Sequence, residues 1–197
     1  MRGLWTTDRV RAAEERVMAV VPPGALMRRA AFGVAVVAAE LLAGKRRVGL
    51  LVGAGNNGGD ALWAGYYLRK RGVAVSAVLL TPGRVHAEGL AAFRRVGGRV
   101  VDRLVDVDLV IDGIVGLSAR GPLRPDAAEH VAHLDAPVLS VDLPSGIDPD
   151  TGAIPGPAVR AHTTVTFGCL KPVHALADCG DVRLVDIGLG GELHGPD

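Results

Sequence analysis

The sequence predicts an α/β protein, Rossmann-like and doubly wound, with a mostly parallel sheet covered by helices on both faces. Three observations carry this. Apolar runs of strand length alternate with stretches of helical spacing along the whole chain, as a parallel sheet with crossover helices requires. The strand-like runs are rich in Val, Leu and Ile throughout, as strands buried on both faces are. The chain has 197 residues, 49% of them apolar and 4% aromatic, which is enough to bury one substantial core. Residues 1–190 are read as a single domain and 191–197 as a linker-like tail.

Taken in order, Thr6 or Thr7 is positioned to cap a helix over 8–20, and Pro22-Pro23-Gly24 stops it. A second helix is expected over 25–43, ending at Gly44; its broad apolar face predicts packing on two sides. The first strand is 48–52. A helix over 59–70 ends at Gly72, and the second strand is 74–80. Residues 86–96 are helical and close on Gly97-Gly98. Val100-Val101 starts a short strand, and 109–112 is a clear one that ends in Asp112. A short helix over 126–134 follows Pro125. Strands are expected at 138–142, 163–167 and 182–187.

Net charge is +1, with acids and bases interspersed, so there is no electrostatic footprint for nucleic acid or an anionic membrane. The short basic clusters at 28–29, 45–47 and 94–95 sit at element ends, where cations suit a helix C-terminus. Cys169 and Cys179 have neither metal-site spacing nor a disulfide framework, so free thiols are expected. The first eight residues carry no signal-peptide pattern, and the apolar stretch 30–43 is too short to span a bilayer. A soluble cytoplasmic protein is the expectation.

The chemistry concentrates after the first strand, in Gly53-Ala54-Gly55-Asn56-Asn57-Gly58-Gly59-Asp60. Glycines let a ligand approach the main chain, and free N–H groups at a helix start attract anions. Two asparagines and an aspartate add side-chain oxygens for a cation or a hydroxylated ligand. Gly53, Gly55 and Gly58 satisfy G-x-G-x-x-G, so a dinucleotide-dependent dehydrogenase is one reading. That reading requires a carboxylate ending the second strand to hold the ribose. The strand runs instead into Thr81-Pro82-Gly83-Arg84, and the first carboxylate beyond is Glu88. Asp60 would also place negative charge near the pyrophosphate. Both features count against a dehydrogenase.

Two further strands end in polar loops. Asp112 is followed by Gly113-Ile114-Val115-Gly116-Leu117-Ser118-Ala119-Arg120-Gly121-Pro122, and Asp142 by Leu143-Pro144-Ser145-Gly146-Ile147-Asp148. In open α/β sheets ligands bind outside the carboxyl ends of the strands, which is where all three loops fall.

In this order the segments resemble the NAD(P)H-hydrate epimerase family, also called the YjeF N-terminal domain. The matching residues are Gly-Asn-Asn-Gly-Gly-Asp at 55–60, Asp-Gly-Ile-Val-Gly at 112–116, Val-Asp-Leu-Pro-Ser-Gly-Ile-Asp at 141–148 and Thr-Val-Thr-Phe-Gly-Cys-Leu-Lys-Pro at 164–172, with Val-Asp-Ile-Gly at 185–188. The resemblance covers almost the whole chain. It implies a Rossmann-like fold and a repair activity on NADHX and NADPHX, cofactors hydrated at C6 of the nicotinamide ring. The enzyme would interconvert the R and S epimers, supplying the S form to an ADP- or ATP-dependent dehydratase, fused or separate. The resemblance also implies a homodimer and one potassium ion per subunit, held by Asn57, Asp112 and Ser145. Around the substrate it implies Asn56, Asn57, Gly58, Gly59 and Asp60, then Gly116, Leu117, Ser118, Ala119, Arg120, Gly121 and Pro122, and Asp142. Two positions depart from the family pattern: Ala61 stands where Gly is common, and Gly116-Leu117-Ser118 where Gly-Thr-Gly is common. Ser118 and Arg120 can compensate with a hydroxyl and a charge-assisted contact.

The hydrate's C6 carries a ring nitrogen and a hydroxyl. Protonating that hydroxyl expels water and leaves a nitrogen-stabilised cation, to which water returns on the other face. A carboxylate near the ring stabilises the cation and can shuttle the proton. Asp142 is assigned this role. From strand-end position alone an Asx-type cap of the following turn is an equal reading, and the family resemblance separates them. Asp112 has the same alternative, while Asp60 reads in part as a first-turn carboxylate favouring the helix dipole. Ser145 lacks a nucleophile elbow. Lys171 can reach phosphate or ring, a solvated lysine being an equal reading, and it is left out of the catalytic assignment. His86, His130, His133, His162 and His174 show no ligand pattern and read mostly as surface residues. Trp63, Tyr66 and Tyr67 read as packing rather than as a stacking platform. The rival function is a non-catalytic nucleotide- or RNA-binding interaction module.

Overall fold

A computed structural model describes residues 3–193. Seven strands form one sheet, every pair parallel, in the order β3-β2-β1-β4-β5-β6-β7. The strands are β1 (Arg47–Val52), β2 (Ala74–Leu79), β3 (Arg99–Val100), β4 (Leu109–Gly113), β5 (Val138–Val141), β6 (Thr163–Phe167) and β7 (Asp181–Val185). The helices are α1 (Thr7–Met18), α2 (Ala25–Leu42), α3 (Gly55–Lys70), α4 (Ala87–Arg95), α5 (Pro125–Ala132) and the single turn α6 (Val173–Leu176), with a 3₁₀ turn at Pro82–Arg84. Neither α6 nor the 3₁₀ turn was expected, because elements this short have no periodicity to read. Among the described residues no helix is long and apolar enough to cross a membrane.

The sheet faces divide by alternation along each strand. Val48, Leu50 and Val52 of β1, with Leu109 and Ile111 of β4, pack under α1, α2, α3 and α4. Leu51, Val110 and Val138 point the other way and pack against Leu123 and Ala127 at α5. The order reverses beside β1: the chain builds outward to β3, then returns to place β4 on β1's other edge. That switch point opens a crevice at the carboxyl ends of β1 and β4.

Two local expectations yield to tertiary contacts. Thr6 is the residue before α1, but no side chain of its own caps the helix. Instead the amide and hydroxyl of Thr7 both donate to Asp150 Oδ1, at 2.8 and 3.0 Å. The segment before α1 is anchored too, Trp5 N–H donating to the Leu170 carbonyl at 2.9 Å. Those contacts set α1 over the end of the sheet. At the other terminus Leu193 is buried and Glu192 pairs with Arg16 at 2.6 Å, so the start of the expected tail is docked; residues 194–197 of it lie outside the described residues.

Candidate functional site

Helix α3 starts at Gly55, a full turn earlier than its apolar spacing suggests, because glycine and asparagine carry little helical signal. Asn56 and Asn57 therefore lie in its first turn and Asp60 in the second. Asp60 is not a first-turn carboxylate, and the dipole argument for it lapses. The residue before the helix, Ala54, offers no side-chain cap, leaving the first amides open to an anion. The turn before α3 lies hard against the β4 loop: a β-carbon on Gly53 would overlap the Ile114 carbonyl, so only glycine fits there. One turn along, Ala61 is fully buried against Gly113.

Asp112, next to last in β4, has no exposed surface. Its Oδ1 accepts from Ser145 Oγ at 2.7 Å and Ile114 N–H at 3.2 Å; its Oδ2 accepts from Ser140 Oγ at 2.8 Å and Ser145 N–H at 3.0 Å. The Ile114 contact is the Asx turn weighed from sequence, and the serine contacts go beyond it. Burial pushes the Asp112 carboxyl up, and these hydrogen bonds oppose it. Ser145 Oγ also lies 3.0 Å from both the amide and the carbonyl of Val115. Asn57 packs on the same loop, and its Nδ2 is buried without a partner. Amide oxygen and nitrogen are interchangeable assignments, so the orphan marks a place where a turned amide would present oxygen. The Asp112 carboxylate, the Ser145 hydroxyl and the Val115 carbonyl lie together as an all-oxygen set, with Asn57 packed on the same loop at Gly116. Such a set suits a large monovalent cation, and no group of three or more His, Cys, Asp or Glu that could hold a metal exists among the described residues.

Asp142 directly follows β5 in the left-handed region, φ 70°, a conformation aspartate tolerates at a cost. Its carboxylate does not cap the following turn. Oδ1 lies 2.6 Å from Lys171 Nζ and accepts from Thr166 Oγ at 3.1 Å. Lys171 is only 1% exposed, and its ammonium also meets Thr166 Oγ at 2.8 Å and the Phe167 carbonyl at 3.1 Å. The solvated-lysine reading is overturned, because β6 and the turn after it fold the side chain under Asp142. His174 is also not a surface group: its Nδ1 accepts from Lys171 N–H at 3.0 Å, so Nε2 carries the proton given to the Asp142 carbonyl at 2.8 Å. Burial lowers its affinity for a second proton.

A cavity of about 860 Å³ opens above these groups, toward the upper end of the ~300–1,000 Å³ usual for ligand pockets. Asn56, Asn57, Asp60, Gly116, Leu117, Ser118 and Asp142 line it, as does Trp63. Gly58 and Gly59 are buried behind the helix start; Asp112 and Ser145 lie beneath the lining. Ala119, Arg120, Gly121 and Pro122 do not border this cavity, and Arg120 instead bonds the Ala119 carbonyl at 2.6 Å. Sequence reasoning missed α1, which contributes Arg11, Glu14 and Met18 to the wall. Burial pushes the Glu14 carboxyl up, with repulsion from Asp142 adding to it.

The convergence is tightest at Gly116. A β-carbon there would stand 2.7 Å from Asn57 Oδ1 and 3.5 Å from Asp142 Oδ2. Gly116→Val is therefore expected to fold but to bind ligand on the order of tenfold more weakly or worse, tenfold being about 1.4 kcal/mol. Isothermal titration with a dinucleotide probe, beside a melting curve, checks it; unchanged affinity would remove Gly116 from the site.

Comparison with known proteins finds a model of the family described as YjeF-related protein N-terminus matching residues 23–173. A Mycobacterium tuberculosis protein named bifunctional NAD(P)H-hydrate repair enzyme Nnr is 58% identical over 96% of this chain. The chain spans 42% of that relative's length. A Microbacterium testaceum protein named NAD(P)H-hydrate epimerase is 41% identical over 94% of the chain and 78% of its own length. Among solved structures, yeast ynu0 superposes with a TM-score of 0.74 over 89% of this chain and 86% of that one, at 20% identity, a likeness of fold.

Proposed function

For a chain that belongs to the family of the YjeF-related protein N-terminus, we propose an isomerase that interconverts the R and S epimers of hydrated NADH and NADPH at C6. The observation that carries the reading is one cavity bounded on one side by the open amides of α3 and on another by the Asp142 carboxylate. The pyrophosphate would lie on the first turn of α3, where N–H groups and the helix dipole favour it. Ser118 stands at the same rim. The reduced ring would reach Asp142, whose charge stabilises the cation formed when the C6 hydroxyl leaves. Trp63 offers a flat apolar wall.

Asn57, Asp112 and Ser145 would hold potassium, supported by the all-oxygen set and the orphaned Asn57 amide. The ion would fix the β4 and β5 loops against the start of α3 and add positive charge beside the phosphates. The S epimer would pass to an ADP- or ATP-dependent dehydratase, fused or separate, as the word bifunctional in the relative's name suggests. A cytoplasmic homodimer completes the reading.

The test supplies pure R-NADHX and follows the S form by chromatography, in potassium and in lithium buffers. Conversion that runs well above the uncatalysed rate and weakens in lithium is expected. No conversion would overturn the enzyme assignment and leave the interaction module; equal rates in both salts would overturn the cation.

A further inference from the structure

Among the carboxyls that line the cavity, Asp60 and Asp142 have different surroundings. Asp142 has a buried counter-ion, Lys171, at 2.6 Å. Asp60 has none among the described residues: its Oδ1 is buried without a hydrogen-bond partner, while the residue borders the cavity. The cations that face this space are committed elsewhere. Arg11 on α1 donates to the Leu117 carbonyl at 3.2 Å, and Arg28 on α2 donates to the Pro23 carbonyl at 2.8 Å. His86, at the start of α4, accepts from Gly89 N–H at 3.0 Å. The remaining charged residues that line the cavity, Glu14, Glu15, Glu88 and Asp142, are acidic.

Resting on the epimerase reading, we infer that Asp60 is the proton donor of the reaction and that Asp142 is left with the electrostatic role alone. A carboxyl with one oxygen buried and unbonded, next to other acids and with no cation to hold it charged, keeps its proton. Burial, then repulsion from Asp142 and Glu14, pushes Asp60 well above the usual carboxylate range. Two carboxyls held in opposite states by their environments divide acid and electrostatic roles in this way.

The step balances. The Asp60 carboxyl gives its proton to the C6 hydroxyl, the C6–O bond breaks, and water leaves as the N1 lone pair forms the C6–N1 double bond. Water then adds to the other face, C6 takes its oxygen lone pair, and the proton it loses passes to solvent water in the cavity, from which the Asp60 carboxylate is reprotonated. No oxidant or further reactant enters. The position on α3 fits: Asp60 stands three and four residues after Asn57 and Asn56, on the same helix face, so one face holds the ligand and delivers the proton.

The experiment uses the whole chain and pure R-NADHX. Asp60→Asn is expected to lower kcat by about 100-fold or more, with KM changed by only about threefold. Asp60→Ala should regain activity with added acetic acid, in proportion to its protonated fraction; an Asp60 with only a structural role would show no such rescue. Wild-type kcat should fall as pH rises through the deprotonation of Asp60, and this wild-type profile decides the matter if the variants do not fold. Wild type that converts the substrate while Asp60→Asn keeps its kcat, or a wild-type kcat that rises with pH over that range, would overturn the donor assignment and leave the epimerase standing. Wild type that converts nothing would overturn both.

Discussion

Asp142→Asn is expected to lower kcat for epimerisation by about 10²–10³-fold, the usual cost of removing one preorganised electrostatic group from a transition state. The substitution keeps the shape of the side chain and its contact with Thr166, so substrate affinity should change little. Lys171 would be left buried with the Thr166 hydroxyl and the Phe167 carbonyl as acceptors, and the melting temperature should fall as well. Rates are therefore measured well below the variant's melting midpoint, with kcat and KM separated. Full activity in a folded Asp142→Asn protein would end the role given to this carboxylate. The prediction differs from that for Asp60 in one respect: added acetic acid should not rescue it, since what is lost is a fixed charge and not a proton.

Lys171→Met should be the most destabilising single change at the site. It strands the Asp142 carboxylate in a place 6% exposed, and removing one partner of a buried ion pair costs about 3–5 kcal/mol. Urea denaturation reads this directly, as a lowered midpoint at unchanged slope. The double variant Lys171→Met, Asp142→Leu should recover much of the loss, because a buried pair replaced by apolar groups of similar size is often neutral. It should nevertheless remain inactive. A Lys171→Met protein as stable as wild type would show that the ion pair contributes nothing to the fold; an active double variant would show that the pair has no part in the chemistry.

The strands at 109–112, 138–142 and 163–167 were legible, because short runs rich in Val, Leu, Ile and Thr and bounded by turns read as strands at that length; their order in the sheet came from the structure. The sheet is wholly parallel, one step beyond the mostly parallel sheet expected. Helix α3 was misplaced at its start for a nameable reason: Asn-Asn-Gly-Gly has low helix propensity, and only packing against the β4 loop holds it in register. Asp112 and Asp142 were readable as strand-end carboxylates. Their difference was not, since it depends on Ser140 and Ser145 around one and on Lys171 and Thr166 around the other. A solvated and a buried lysine share the same sequence signal, so Lys171 could be placed by coordinates alone. The same holds for His174, whose role under Asp142 comes from one amide and one carbonyl.

The sequence by itself determined the alternation of strands and helices, the three polar loops at strand ends and the family they resemble. These rest on periodicity and on residue order, which survive without coordinates. Tertiary structure alone decided which charges are paired. It drew α1 across the cavity through Asp150 and Leu170, adding Glu14 to the wall, and gave Asp142 a counter-ion while leaving Asp60 without one. The physical reason is that a carboxyl's charge state is set by desolvation and by neighbours within a few ångströms. Those neighbours arrive from segments distant in the chain, as Lys171 does to Asp142, and no local pattern records them.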